Sequence, residues 1–133
     1  MNSSVIKKFA LETYGCQMNV ADSELVEGIL TNLGLEKTAD YDEADAIFLN
    51  TCAIREKAEE TVRKRISDFK NNKKNRPDLI IGILGCMAER LKSQFLEEEK
   101  LVDLVIGPDA YRDLPKLIKE THDGRKAVNV ILS

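Results

Sequence analysis

The sequence predicts an α/β domain: a three-layer sandwich around a mostly parallel sheet of about five strands, in the order 2-1-3-4-5. Two observations predict it. Short apolar runs alternate along the chain with longer segments whose apolar residues recur every three to four positions, the rhythm of strand and helix in turn. Two of the runs, 46–49 and 79–84, are apolar at almost every position, as strands are when helices cover both faces of a sheet.

The elements follow in order. Residues 9–14 read as the first strand, with Phe9, Leu11 and Thr13 alternating against Ala10, Glu12 and Tyr14. In the helix after it, Val26, Ile29, Leu30 and Leu33 fall on one face. Asn19 or Asp22 can cap its start and Gly34 its end. Residues 35–38 read as a short second strand. Only "ADYDEAD" separates it from the third, 46–49, where a parallel crossover ordinarily takes a dozen residues or more, so the placement of strand two stays open.

The longest helix spans about 54–71, with Ile54, Ala58, Val62, Ile66 and Phe69 as its apolar stripe. Glu56, Glu59 and Glu60 near its start and Lys70 near its end suit the helix dipole. "NNKKNRPD" breaks the chain before the fourth strand, 79–84. A helix over 87–99 carries Met87, Leu91 and Phe95, and 101–106 is the fifth strand, closed by Gly107-Pro108. Asp113 can cap a last helix with Pro115 in its first turn and Leu114, Leu117 and Ile118 facing inward. Residues 127–132 are either a terminal strand or an exit linker. Right-handed crossovers then favour the flavodoxin-like strand order.

The 133 residues suit one domain, and 43% hydrophobic residues can fill its core. No apolar stretch approaches the roughly 18 to 20 residues of a membrane span. "MNSSVIKK" is not an export signal, and unpaired cysteines favour a reducing cytoplasm. A net charge of −3 argues against a nucleic-acid-coating surface as a whole. Arg63, Lys64, Arg65, Lys70, Lys73, Lys74 and Arg76 nevertheless crowd one region, which either touches phosphates or is a solvated helix end.

The chemistry rests on Cys16, Cys52 and Cys86, which follow strands one, three and four. In the expected order these strands are neighbours, so all three thiols reach the carboxyl edge of one sheet, where open α/β sheets bind ligands. Each stands at or before a helix start, where backbone N–H groups favour the thiolate that binds metal. Gly15 and Gly85 precede two of them and permit a sharp turn. Structural zinc wants a fourth ligand, and the single histidine, His122, is poorly placed to supply it. A [4Fe–4S] cluster held by three thiolates keeps one iron open. The residues alone leave two readings: a metal cluster, or buried structural cysteines in a flavodoxin-like nucleotide-binding or docking module. No glycine-rich phosphate loop supports the second.

"TYGCQMNVADSE", "NTCAIREKAEETV" and "GCMAER" closely resemble the N-terminal domain of the radical-SAM methylthiotransferases, over nearly the whole chain. "GCQMN" with "NTCAIREKA" resembles the tRNA branch that makes 2-methylthio-N6-dimethylallyladenosine. The resemblance implies that Cys16, Cys52 and Cys86 bind an auxiliary [4Fe–4S] cluster whose open iron carries the sulfur delivered to adenine C2. It also implies a second [4Fe–4S] cluster and S-adenosylmethionine in a separate radical-SAM domain, with tRNA as partner. No C-x-x-x-C-x-x-C triplet is present here. Residues 1–125 are therefore expected to be the cluster-binding domain and 126–133 a terminal strand or linker to the radical-SAM domain, with no catalysis by the fragment alone. Asn50 and Thr51 before Cys52, and Gln17 and Asn19 after Cys16, either tune a cluster through hydrogen bonds or cap helices. Capping is preferred for Asn19; Asn50 stays open, as does Arg55, which can balance cluster charge, meet a phosphate or sit in solvent.

Overall fold

The computed structural model describes residues 7–13, 17–51, 56–85, 101–116, 118 and 127–129. A single parallel sheet runs through them in the order β2-β1-β3-β4-β5-β6. Its strands are β1 (Lys8–Thr13), β2 (Glu36–Lys37), β3 (Ala46–Thr51), β4 (Ile80–Gly85), β5 (Leu104–Ile106) and β6 (Ala127–Asn129). The first five keep the expected order. The sixth, parallel to β5, is the terminal strand that the sequence left as one of two options.

Side chains alternate across the strands and divide the core in two. On one face Phe9, Phe48, Leu84 and Ile106 pack with Val26 and Leu30 of α1 (Gln17–Asn32). On the other, Ala10, Ile47, Ile83 and Val105 pack with Val62 and Ile66 of α2 (Glu56–Asp68) and with Phe69. All six residues of β4 are buried, which is why its sequence is an unbroken apolar run. Gly82 is the small residue inside that run, with Gly85 at its end, and Phe48, the partner of Gly82 across the ladder, fills the space beside it.

The short link between strands two and three has a simple geometric basis. β2 is two residues long and pairs only with Lys8 and Phe9. Phe9 lies opposite Lys37 on one side and Ala46 on the other. The chain therefore leaves β2 and enters β3 on the same rung. Residues 38–45 have only to step sideways over the amino end of β1, about 10 Å or two strand spacings. They need no return along the strand, which is what lengthens an ordinary crossover. Tyr41 and Ala44 pack into the α2-side core on the way.

The helix ends depart from expectation in three places. α1 begins at Gln17, so Asn19 and Asp22 lie within the helix rather than ahead of it. At its other end, Leu35 N–H donates to Leu30 C=O at 3.1 Å and Gly34 N–H to Thr31 C=O at 3.0 Å. That is a Schellman turn, with Gly34 in the left-handed region at φ +95°. The turn buries Leu35 against Leu30 and leaves Leu33, expected on the inner face, 45% exposed. Finally, α2 ends at Asp68, and the expected break holds a further helix, α3 (Lys70–Asn75). It buries no residue and offered no apolar period to find. A 3₁₀ segment, Pro108–Asp113, runs on into helical backbone at 114–116, with Tyr111, Leu114 and Ile118 buried. The helix expected over 87–99 and Leu117 lie outside the described residues.

Lys73 of α3 and Arg76, the residue directly after it, secure the amino edge of the sheet. Asp45, just before β3, accepts the backbone N–H groups of Lys7 and Lys8 at 2.8 and 3.0 Å and pairs with Arg76. Asp103, just before β5, accepts the Ile81 N–H at 3.1 Å and pairs with Lys73. Burial pushes the Asp45 carboxyl up, but Arg76 and the two backbone donors outweigh it and hold the group below its ordinary value.

Candidate metal centre

β1, β3 and β4 are neighbours, and their carboxyl ends finish almost level. Thr13 pairs with Asn50, and Thr51 with Gly85. In the sequence Cys16 comes three residues after Thr13, Cys52 directly after Thr51 and Cys86 directly after Gly85. The three cysteines, with Gly15, Arg55 and His122, lie outside the described residues. Among the described residues no group of three or more His, Cys, Asp or Glu side chains could hold a metal ion. Gly85 has φ +97°, a backbone conformation that glycine adopts without strain, so the chain bends at the residue before Cys86.

Two polar clusters underlie this edge, one on each face of the sheet. On the α1 face, Asn50 Nδ2 donates to Ser23 Oγ at 2.9 Å, and Ser23 Oγ shares a hydrogen bond with Thr13 Oγ1 at 2.5 Å. Asn50 and Ser23 are the buried polar side chains among the described residues. The sequence left Asn50 open between cluster tuning and capping. It lies in β3, six residues before α2, and holds a strand to a helix.

On the α2 face, Arg65 grips Glu12. Its Nε donates to both carboxylate oxygens at 2.9 Å and its Nη2 to Oε2 at 2.5 Å. Tyr41 donates its hydroxyl to the same carboxylate. The guanidinium carbon lies 4.5 Å from the Phe69 ring centre and 5.2 Å from that of Tyr41. The Glu12 hydrogen bonds raise the Arg65 pKa against the cost of burial, so the guanidinium stays charged. Burial first, and then the bond to Glu12, raises the Tyr41 pKa and keeps the phenol a donor. Neither cluster was identified from the sequence. The available signal was Glu12 itself: a carboxylate on a covered strand must find a partner.

Part of the basic run is consumed by the fold. Arg65, Lys73 and Arg76 are held by Glu12, Asp103 and Asp45. Lys64, Lys70 and Lys74 remain exposed. Lys70 and Lys74 stand on α3, whose ties through Lys73 and Arg76 place it at the amino edge, across the sheet from the cysteine-bearing ends.

These features define a class: a parallel α/β domain that brings three strand ends together at the edge where such sheets take ligands. The RcsB response regulator of Salmonella typhimurium shares the fold, with a TM-score of 0.56 at 14% identity, over 94% of this chain and 64% of that one. Residues 8–107 match uncharacterized protein family UPF0004, and the chain belongs to that family. It is 61% identical over 130 residues to the tRNA-2-methylthio-N(6)-dimethylallyladenosine synthase of Amoebophilus asiaticus, covering 98% of this chain and 27% of that protein. It is 53% identical over 131 residues to the human mitochondrial tRNA methylthiotransferase CDK5RAP1, covering 96% of this chain and 22% of that protein. The chain thus spans about a quarter of the length of these relatives. Among the described residues no helix is long and apolar enough to cross a membrane.

Proposed function

We propose that this chain is the auxiliary-cluster domain of a tRNA methylthiotransferase of the branch that makes 2-methylthio-N6-dimethylallyladenosine. The observation that carries the reading is the side-by-side finish of β1, β3 and β4, each followed within three residues by a cysteine. The names of the relatives agree with it.

The donor set fits the group. Three thiols are soft ligands of the kind iron–sulfur clusters take, and three leave one iron of a [4Fe–4S] cluster without a protein ligand. Cys16, Cys52 and Cys86 would hold it. When bound, the cluster supplies an open coordination position for the sulfur destined for the adenine beside the anticodon. The chain's own residues provide the frame: parallel strands set the spacing of the three segments, and Gly85 bends the chain just before the third cysteine. Residues 1–125 form the cluster-binding domain, and 126–133 add its terminal strand, β6, ahead of a radical-SAM domain. There the parent enzyme binds a second [4Fe–4S] cluster and S-adenosylmethionine. The tRNA substrate and a reducing, cytoplasmic setting belong to the same proposal, and the fragment alone is inactive.

Anaerobic reconstitution with iron and sulfide tests the proposal. The expected product is brown and holds about four irons per chain. Replacing any one of Cys16, Cys52 or Cys86 by Ala abolishes the stable cluster. Equal iron uptake and the same absorption in the triple variant would sink the reading. Flavin or nucleotide binding by metal-free protein would turn it towards a nucleotide-binding module.

A further inference from the structure

Two consecutive residues of β1, Glu12 and Thr13, point to opposite faces of the sheet, and each is tied to the helix on its own face. Thr13 reaches α1 through Ser23, and Glu12 reaches α2 through Arg65. In sequence α1 starts directly after Cys16, and α2 starts four residues after Cys52. Asn50 adds a bond from β3 to the same Ser23 hydroxyl. One strand end is thus the common anchor for both helices that follow the first two cysteines.

We infer that Glu12 and Thr13 are a positioning pair that fixes the separation of the Cys16 and Cys52 segments. The inference rests on the cluster reading above. Apolar contacts are non-directional, whereas a hydrogen bond fixes the distance and the angle between two particular atoms. Burying Ser23, Asn50 and most of the Glu12 side chain also carries a desolvation cost that apolar residues would avoid. Their placement is selective. Among the described residues, the other ion pairs between helical segments and the sheet or the residues just before its strands, Lys37–Glu27, Asp45–Arg76 and Asp103–Lys73, lie towards the amino ends of β1, β3 and β5, where no cysteine follows. Arg65 is held on both sides, gripping both carboxylate oxygens while it lies against Phe69 and Tyr41. Thiolates that must meet one metal need that separation fixed before the metal arrives.

Anaerobic titration of metal-free protein with Co(II) alone tests it, read by thiolate-to-cobalt charge-transfer absorption and by affinity. Glu12→Gln with Thr13→Val is expected to weaken Co(II) binding about tenfold or more and to lower the absorption at saturation. Thr13→Ser keeps the hydroxyl and is expected to match the unmodified protein. Lys73→Met, which loosens the opposite edge, is the control: it lowers the unfolding midpoint and leaves Co(II) affinity unchanged. If the double variant does not fold, Thr13→Val and Ser23→Ala are read singly, with a weaker effect of the same sign. Unchanged affinity in the Glu12 and Thr13 variants overturns the inference, as does an equal loss in Lys73→Met. A normal protein that shows no thiolate–cobalt band overturns the cluster reading and this inference with it.

Discussion

The Phe48 ring occupies the space that a side chain at Gly82 would need. A Cβ built on Gly82 would stand 2.8 Å from Phe48 Cδ1 and 3.3 Å from Leu104 Cδ2. Both neighbours are fully buried, so neither can swing into solvent. Gly82→Ala is expected to destabilise the fold by about 1–3 kcal/mol through overpacking, read from a denaturant midpoint. Phe48→Leu in the same chain should recover part of that loss, giving a coupling that a double-mutant cycle detects. Additive losses would show that the two positions do not share space.

Gly34 poses the opposite case. A Cβ there meets no atom within 4 Å, but its φ is +95°. Gly34→Ala should therefore cost about 1 kcal/mol from backbone conformation alone, and Gly34→Asn less, because Asn tolerates the left-handed region. Equal losses for the two variants would place the cost elsewhere.

Asp45 sets a pH dependence. Its folded pKa is lowered, so its contribution is fully present above the unfolded value, about 3.9, and is lost as pH falls below that towards the folded value. Asp45→Asn is expected to be less stable at pH 7 by about 1 kcal/mol, a figure kept small because Arg76 is partly exposed. The difference should narrow below about pH 4. A constant difference from pH 7 to pH 3 would contradict it.

Neighbouring lysines of α3 should behave differently. Lys73 is tied to Asp103 and to the Leu79 carbonyl, whereas Lys74 is exposed. Lys73→Met should cost about 1 kcal/mol and Lys74→Met less than about 0.5 kcal/mol, by chemical denaturation. Under the proposed function, a tRNA contact through this run would make Lys64, Lys70 and Lys74 the positions whose replacement flattens the salt dependence of binding.

The sheet was legible because burial on two faces forces an apolar run and right-handed crossovers limit the order of strands. Residues 46–49 and 79–84 and the alternation from Phe9 to Thr13 carried it. The adjacency of the three cysteine-bearing strands followed from that order. What escaped was set by partners distant in sequence. α3 has no apolar period because charges hold it, and those charges answer Asp45 and Asp103 on other elements. Leu33 and Leu35 compete for one place in the core, and the Schellman turn at Gly34 decides in favour of Leu35. Ser23 becomes a ligand of Asn50 only once the fold sets α1 against β3. Glu12 and Arg65 are 53 residues apart and belong to no local pattern.

The sidestep from β2 to β3 also bears on where this protein can be lengthened. Its eight residues read like slack, yet they place Tyr41 and Ala44 in the core and end at Asp45. An insertion there would push a packed ring and a buried methyl off the sheet, so tags and grafted loops belong elsewhere. Relatives that gained residues over their history should show few of them in this stretch.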